Sequence, residues 1–423
     1  MKLIRCVLIL FTCFIYHESF SQDFWEPLNT PGGLSMFDVE VDSEGRVYLA
    51  CPGPTGELTG IYRSDDNCNT WVRKVEGMDT TYNPHTRSIA IDNYDNIIVG
   101  ENSRIYRSDD HGETWTEVYY SPPLAYNFNR AEFGFDSIFL VGGEYDNGIV
   151  RSGDNGLSWQ VVLDFNDFEP ETSEALRGIC FASDGVIFAC SQTFYAASGS
   201  VYISEDYGMT WQVFYNNGYS QFYSIEMGND GRLIVGGNGI HQYNFETGLW
   251  EYENYNFIAR DILAVPDSKI FVADSYNGGG FGVVYSADNG QSYEVLNSGM
   301  LSPDGRSFAV DLSGRVLVCG SLSNALYRSY DTLVTGIIPD KENVAGSGLV
   351  AYPNPFNRHC IIQSPFPEFA SLILYDMQGV VVLKSYIKGF GTYNVNANTL
   401  SKGMYIAIIQ SNNYKRTIKL IHH

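Results

Sequence analysis

Arginine recurs at one position of a repeated pattern, and arginine is a side chain suited to gripping oxyanions. Seven segments each hold two short apolar runs around a turn: FDVEVDSEGRVYLAC, SIAIDNYDNIIVG, AEFGFDSIFLVG, GICFASDGVIFAC, YSIEMGNDGRLIVG, DILAVPDSKIFVA and SFAVDLSGRVLVCG. Aligned on their turns, the position just before the first run reads Phe37, Arg87, Arg130, Arg177, Tyr223, Arg260 and Arg306. Six of these lie eight residues before the turn residue. Arg130 lies seven before it, which suggests a shortened hairpin. A guanidinium donates planar, paired hydrogen bonds that suit carboxylate, sulfate or phosphate. If the seven positions converge, their arginines form a locally positive funnel. The competing reading is that each arginine is repeat consensus and pairs with a nearby carboxylate. Arg63, Arg107, Arg151 and Arg328 form such a set before a recurring serine, on a predicted outer strand.

The elements that must position these residues are strands. Asp-Gly, Ser-Gly and Asp-Ser turns between β-rich runs are hairpin signals. A second phrase follows each hairpin: IYRSDDNCNTW, IYRSDDHGETW, IVRSGDNGLSW and VYISEDYGMTW, with weaker copies YNFETGLW, VYSADNGQSY and LYRSYDT. The period is about 44 residues, the length of one four-stranded supersecondary unit. Seven such units predict an all-β fold, a seven-bladed β-propeller over residues 23–336. The last unit lacks its tryptophan strand. Residues 23–29 read as the missing outer strand, so an N-terminal strand is expected to close the ring.

The phrase S-x-D-x-G-x-T-W resembles the Asp-box, or BNR repeat, of sialidases, sortilin-type receptors, xyloglucanases and the photosystem II assembly-factor propeller. The resemblance implies structural roles. Asp66, Asp110, Asp154, Asp206 and Asp288 should cap backbone N–H groups, and Trp71, Trp115, Trp159 and Trp211 should pack between blades. Box one has Cys68 where the others have glycine, and strain is expected in its turn.

Residues 1–22 read as a secretory signal, with Lys2 and Arg5 before an apolar run. Residues 337–348 read as a linker. The remainder, 349–423, has a different grammar: YPNPF, LILYDMQGVVV, GTYNVNANTLSKGMYIAIIQ and a basic KRTIKL end. It resembles the C-terminal sorting domain of the type IX secretion system of Bacteroidota. About seven short alternating runs predict a small Ig-like β-sandwich. The resemblance implies the type IX secretion machinery as partner through 349–423. The destination is release or attachment at the outer-membrane surface.

The net charge is −23 and the pI near 4.6, which argues against nucleic acid as a partner. No apolar run after the signal is long enough to span a bilayer. Six cysteines follow the signal: Cys51, Cys68, Cys180, Cys190, Cys319 and Cys360. Export permits disulfides, and Cys180 with Cys190 could be cross-strand neighbours. Cys51, Cys190 and Cys319 end equivalent strands, where a small buried side chain is the simpler reading. No CxxC or histidine cluster occurs, so neither a metal nor a cofactor is expected.

Three functions compete. The first is a secreted or surface propeller that binds a glycan or protein ligand at the channel mouth, through Arg87, Arg130, Arg177, Tyr223, Arg260 and Arg306. Loop aromatics on that face (Tyr82, Tyr126, Phe128, Phe165, Tyr195, Tyr219, Tyr255 and Tyr276) would support it. The arginine slots resemble the basic patch of the photosystem II assembly-factor propeller. The second is a sialidase-like glycoside hydrolase, with Arg87, Arg177 or Arg306 near Tyr223, and Glu132, Glu174 and Asp261 near the same face. No acid partner for Tyr223 is assignable, and no catalytic residue is named. The third is a structural surface or adhesion protein.

Overall fold

The computed structural model describes residues 23–334 and 350–422, apart from 54–58, 81–83, 122–126, 135–136, 145–147, 166–173, 183–184, 194–197, 217, 219–220, 275–279, 323, 353, 355, 357, 364–369, 377–379, 388–391, 397–399 and 411–414. The expected signal at 1–22 and linker at 337–348 lie outside the described residues. Every regular element described is a β-strand, and no helix among them is long and apolar enough to cross a membrane.

Four of the first sheets follow the repeat in chain order, each with four antiparallel strands. The first runs Asp38–Val41, Val47–Cys51, Gly60–Ser64 and Val72–Lys74. The second strands of the first three repeats, Val47–Cys51, Ile97–Glu101 and Phe139–Gly143, are buried at every residue. Such strands are covered on both faces, which is why their sequences are continuous apolar runs rather than alternating ones. Their cover is the neighbouring sheet. Tyr48 and Ile61 of the first sheet share a core with Ile89, Ile97 and Tyr106 of the second.

The fifth and sixth repeats form one six-stranded sheet. Two long strands, Leu233–Asn244 and Leu249–Val265, make this continuity. Residues 233–237 pair with Phe222–Met227, while 240–244 pair with 249–253. The fifth repeat has no serine–aspartate box. Asn244 turns the chain instead, its Oδ1 accepting from the Glu246 and Thr247 amides.

The N-terminal strand closes the last sheet as expected. Trp25–Pro27 pairs antiparallel with Leu326–Ser329, Trp25 opposite Ser329. The Trp25 side chain is fully buried, and its Nε1 donates to the Leu296 carbonyl at 2.7 Å.

The box turns are locally self-sufficient. In box two, Asp110 accepts from Ser108 Oγ, the Thr114 amide and Thr114 Oγ1 at 2.7, 2.9 and 2.6 Å. Asp66, Asp154, Asp206 and Asp288 make the same set. Two consecutive left-handed residues carry each turn, such as His111 and Gly112 at φ 60° and 79°. Cys68 adopts φ 64° with its side chain buried, so box one holds a side chain where the others need none. Trp115, Trp159, Trp211 and Trp71 each pack with the core shared with the preceding sheet.

The arginines before the box serine fasten the next box. Arg63, Arg107 and Arg151 donate to the carbonyls of His111, Asn155 and Tyr207, each the left-handed residue of the following box. Arg63 and Arg107 also meet the carboxylates of Asp65 and Asp109. Arg328 crosses the seam to Asn67 and Glu26.

All six described cysteines are buried free thiols. Cys180 does not oppose Cys190: Gly178 pairs with Cys190 and Cys180 with Phe188, which rules out the cross-strand neighbour expectation.

The C-terminal unit has two antiparallel sheets. Val350–Tyr352, His359–Gln363 and Thr392–Asn396 form one; Val381–Ile387, Ala370–Asp376, Gly403–Gln410 and Lys415–His422 form the other. They share one core, with Cys360, Ile362 and Val395 from the first and Leu372, Leu374, Ala407 and Ile409 from the second.

Candidate anion-binding site

A repeated β-bulge builds the site. In the third to sixth repeats the innermost strand slips register by one residue. The extra residues are Asn129, Arg177, Tyr223 and Arg260. In the other three repeats the same geometry appears as an amide bond: Phe37, Arg87 and Arg306 donate to the carbonyls of Ala50, Gly100 and Cys319. The following residue then pairs with that same partner: Asp38 with Ala50, Ser88 with Gly100 and Ser307 with Cys319. A bulge inserts a residue and re-aims its side chain. Glycine opposite the bulge lets the next inner strand come close. A Cβ at Gly100 would lie 2.9 Å from the Phe128 carbonyl oxygen.

Phe37, Arg87, Asn129, Arg130, Arg177, Tyr223, Arg260 and Arg306 line one cavity that is partly open to solvent. All six sequence-predicted binding residues are among them. The third slot, however, belongs to Asn129. The turn residues Gly45, Asp95, Ser137, Gly185, Gly231, Ser268 and Gly314 are all left-handed, and eight residues before Ser137 is Asn129. The third hairpin is therefore not shortened, and Arg130 occupies the next position along its strand, at the cavity floor.

The upper tier is crowded with positive charge. Arg306 lies 3.7 Å over the Phe37 ring centroid and Arg260 lies 4.3 Å over the Tyr223 ring. On the other side, Arg87 donates to Asn129 Oδ1 at 3.0 Å. Glu144 sits between Arg87 and Arg177, 3.9 Å from each, and accepts from Asn127 and Asn129. Burial, reinforced by Arg260, Arg177 and Arg87, pushes Arg306 down to about 9. Burial pushes Arg177 down to about 10 against the pull of Glu144, with Arg87 and Arg260 adding repulsion. Both stay cationic at neutral pH and gain from an added anion.

The lower tier is acidic. Alternation along the inner strands sends Asp38, Glu40, Glu132, Glu226 and Asp261 toward the channel beside Arg130. Arg130 donates to Glu132 at 2.7 Å and lies 3.5 Å from Asp261. Burial works against the Arg130 charge, but Glu132, Asp261 and Asp38 outweigh it and hold the guanidinium well above its usual range. Burial raises Glu132 to about 7 despite Arg130. Burial, with Glu132 and Asp261, raises Glu226 to about 8. Glu132 keeps 27% side-chain exposure although protein surrounds it, because the channel itself is open.

One further acid and the aromatics behave differently from the sequence expectation. Glu174 is buried and accepts from the Tyr202 hydroxyl at 2.5 Å, away from the cavity. The Tyr223 hydroxyl donates to Gln221 Oε1 at 2.6 Å. Phe128 and Phe165 are core residues, because each packs into a cluster between sheets. Tyr82, Tyr126, Tyr195, Tyr219, Tyr255 and Tyr276 lie outside the residues with described side chains. Among the described residues no group of histidine, cysteine and acidic side chains could hold a metal ion.

Comparison with known proteins bears on both parts of the chain. Residues 350–423 match the secretion system C-terminal sorting domain, and residues 106–117 match the BNR/Asp-box repeat. The chain thus carries a type IX sorting domain at 350–423 and an Asp-box repeat within an all-β fold. A comparison with curated proteins finds no match. Among solved structures, the propeller is similar to YCF48 bound to D1 peptide, at 16% identity and a TM-score of 0.56 over 75% of this chain and 98% of that one. PorZ of Porphyromonas gingivalis is described as an essential bacterial surface component of the type IX secretion system. It aligns at 14% identity and a TM-score of 0.57 over 94% of this chain and 60% of that one. Virginiamycin B lyase from Staphylococcus aureus aligns at 14% identity and a TM-score of 0.55, over 72% and 98%. At these identities the likeness is one of fold, since a propeller hosts many functions. The sorting domain implies export to the cell surface.

Proposed function

We propose that this protein is an exported recognition module whose arginine pocket binds a carboxylate-bearing ligand, such as a peptide terminus or an acidic glycan. The observation that carries the reading is the convergence of Arg87, Arg177, Arg260 and Arg306 on one cavity, under mutual repulsion. Three of them, Arg87, Arg260 and Arg306, lie over aromatic rings. A guanidinium over a ring face presents its donors in its own plane, which favours planar bidentate partners. On this reading the long strands of the six-stranded sheet each serve as two, and the ring counts seven blades. The C-terminal unit is then an Ig-like sandwich, with 1–22 as signal and 337–348 as linker. YCF48 has been captured with a peptide, which supports a protein ligand by analogy of fold.

The sialidase-like alternative draws no support from Tyr223, whose hydroxyl is engaged by Gln221 rather than by a carboxylate. Glu132 and Asp261 are committed to Arg130. The deciding experiment is binding of the full-length chain to peptides with a free C-terminal carboxylate and to their amides. Saturable binding that needs the carboxylate and disappears in Arg177→Ala/Arg306→Ala supports the reading. Equal binding of acid and amide, or binding untouched by the double substitution, overturns it. Turnover in a fluorogenic glycosidase panel would establish the alternative.

A further inference from the structure

We propose that anion binding at the arginine pocket is coupled to proton uptake by the carboxylate tier beneath it. The inference rests on the anion-binding reading above and adds its regulation.

The geometry is a stack. Each inner strand presents its bulge residue to the pocket and its next alternate residues to the channel below. Arg130 lines the pocket floor yet is held by Glu132 at 2.6–2.7 Å and faces Asp261 at 3.5 Å. Asp38 accepts from Ser307 Oγ and the Ile89 amide, and Asp261 accepts from the Phe308 amide. Glu40 and Glu226 share the same enclosure, so five carboxylates face the Arg130 guanidinium. Like charges this close in a channel walled by protein cannot all stay ionised at neutral pH.

What keeps them partly ionised is the Arg130 guanidinium, which lines the pocket and also holds Glu132. An anion seated in the pocket against Arg130 cancels part of that field. The carboxylates then take protons from solvent, with no other bond changed. Linkage makes the effect reciprocal: each proton gained below strengthens anion binding above.

The window follows from the groups involved. Glu132 titrates near 7 and Glu226 near 8, both above the ordinary carboxylate value. A bound anion raises them further. Affinity should therefore fall as pH rises from 6 to 8.5. Glu101, which accepts from the His85 amide and is raised by burial to about 7, titrates in the same window. The remaining neighbours lie outside it. His85, bonded by Arg87 Nε, is pushed below its usual value by burial and by Arg87. Buried Cys180, beside Glu226 and Glu132, is raised well above the ordinary thiol value. Asp274 and Asp304, beside Arg260 and Arg306, accept backbone amides.

Inorganic sulfate is the appropriate probe, because its charge is constant across this range. Calorimetric titration of the full-length chain at constant ionic strength, in buffers of differing ionisation heat, reads affinity and proton uptake together. The expected result is net uptake between pH 6.5 and 8, with binding about fivefold to tenfold tighter at pH 6 than at 8.5. Glu132→Gln and Glu226→Gln should each flatten that dependence toward the tight limit. Sulfate binding with no proton uptake and no pH dependence overturns the coupling while leaving the anion site intact. Absence of sulfate and peptide binding at every pH overturns the site itself. Carboxyl-carbon NMR reads the same link directly: saturating sulfate should raise the Glu132 midpoint, and an unmoved midpoint refutes the coupling.

Discussion

Asn129 and Arg130 are adjacent, yet they serve opposite tiers of one cavity. Asn129 is the bulge residue and accepts from Arg87 at 3.0 Å, whereas Arg130 pairs with Gly142 and donates to Glu132 at 2.7 Å. One residue of register separates a pocket lining from a channel counterion. The two arginine populations should therefore respond oppositely to removal.

Arg130→Met leaves the channel carboxylates without a cation. Breaking a buried pair by removing one partner costs about 3–5 kcal/mol. The loss should be larger at pH 8 than at pH 5, since more of the acids are then ionised. Urea unfolding at the two pH values measures it, and equal losses would refute the assignment.

Arg306→Met removes a desolvated cation repelled by Arg260 and Arg177. The stacking on Phe37 contributes about 0.5–2 kcal/mol, which relief of repulsion offsets. Net stability should change by less than about 1 kcal/mol while anion binding is lost. This is the pattern expected where a side chain is kept for function at some expense of stability. A loss comparable with that of Arg130→Met would mark Arg306 as structural.

The seam gives a third prediction. Trp25 contributes a fully buried side chain, an indole hydrogen bond to Leu296 and a strand opposite Leu326–Ser329. Trp25→Ala should cost about 3–5 kcal/mol. Deletion of residues 23–27 exposes a whole strand edge, so that protein should also self-associate. Light scattering beside thermal unfolding separates the two effects.

Much of this was legible because its determinants are local. The Asp-box turns bond within five residues, so spacing alone identified them. The pocket slots were legible because each lies a fixed eight residues before a left-handed turn residue. Arg130 was drawn into the slot by its residue type, and Asn129 was passed over although it has the correct spacing. The lower tier carries a weaker signal. Its two rows read Asp38, Ser88, Arg130, Gly178, Ser224, Asp261 and Ser307, then Glu40, Ala90, Glu132, Cys180, Glu226, Leu263 and Ala309, so acids recur without filling either row. Glu144 enters the site from the end of a second strand, between Arg87 and Arg177 of the neighbouring sheets, and that placement depends on how the sheets meet. Phe128 and Phe165 looked like loop aromatics because burial between sheets is a tertiary property.

The pH dependence of stability should have two limbs of opposite sign. Hydrogen bonds from box threonines and serines hold Asp110, Asp154, Asp206 and Asp288 below the ordinary aspartate value, outweighing burial. A lowered folded value means that these groups stabilise the fold above about pH 4, and that this is lost as pH falls further. Glu132 and Glu226 are raised, to about 7 and 8. A raised folded value means that their contribution is complete below about pH 4.5 and is lost as pH rises through those values. Stability should therefore peak at about pH 4–4.5 and decline toward about pH 8. Denaturation midpoints across pH 3–9 give the curve. Asp154→Asn should weaken only the acid limb, by about 1 kcal/mol at its plateau. Glu132→Gln with Glu226→Gln should reduce the alkaline limb and leave the part contributed by Glu101, which burial raises to about 7. An alkaline limb undiminished in the double variant would place its origin outside the channel.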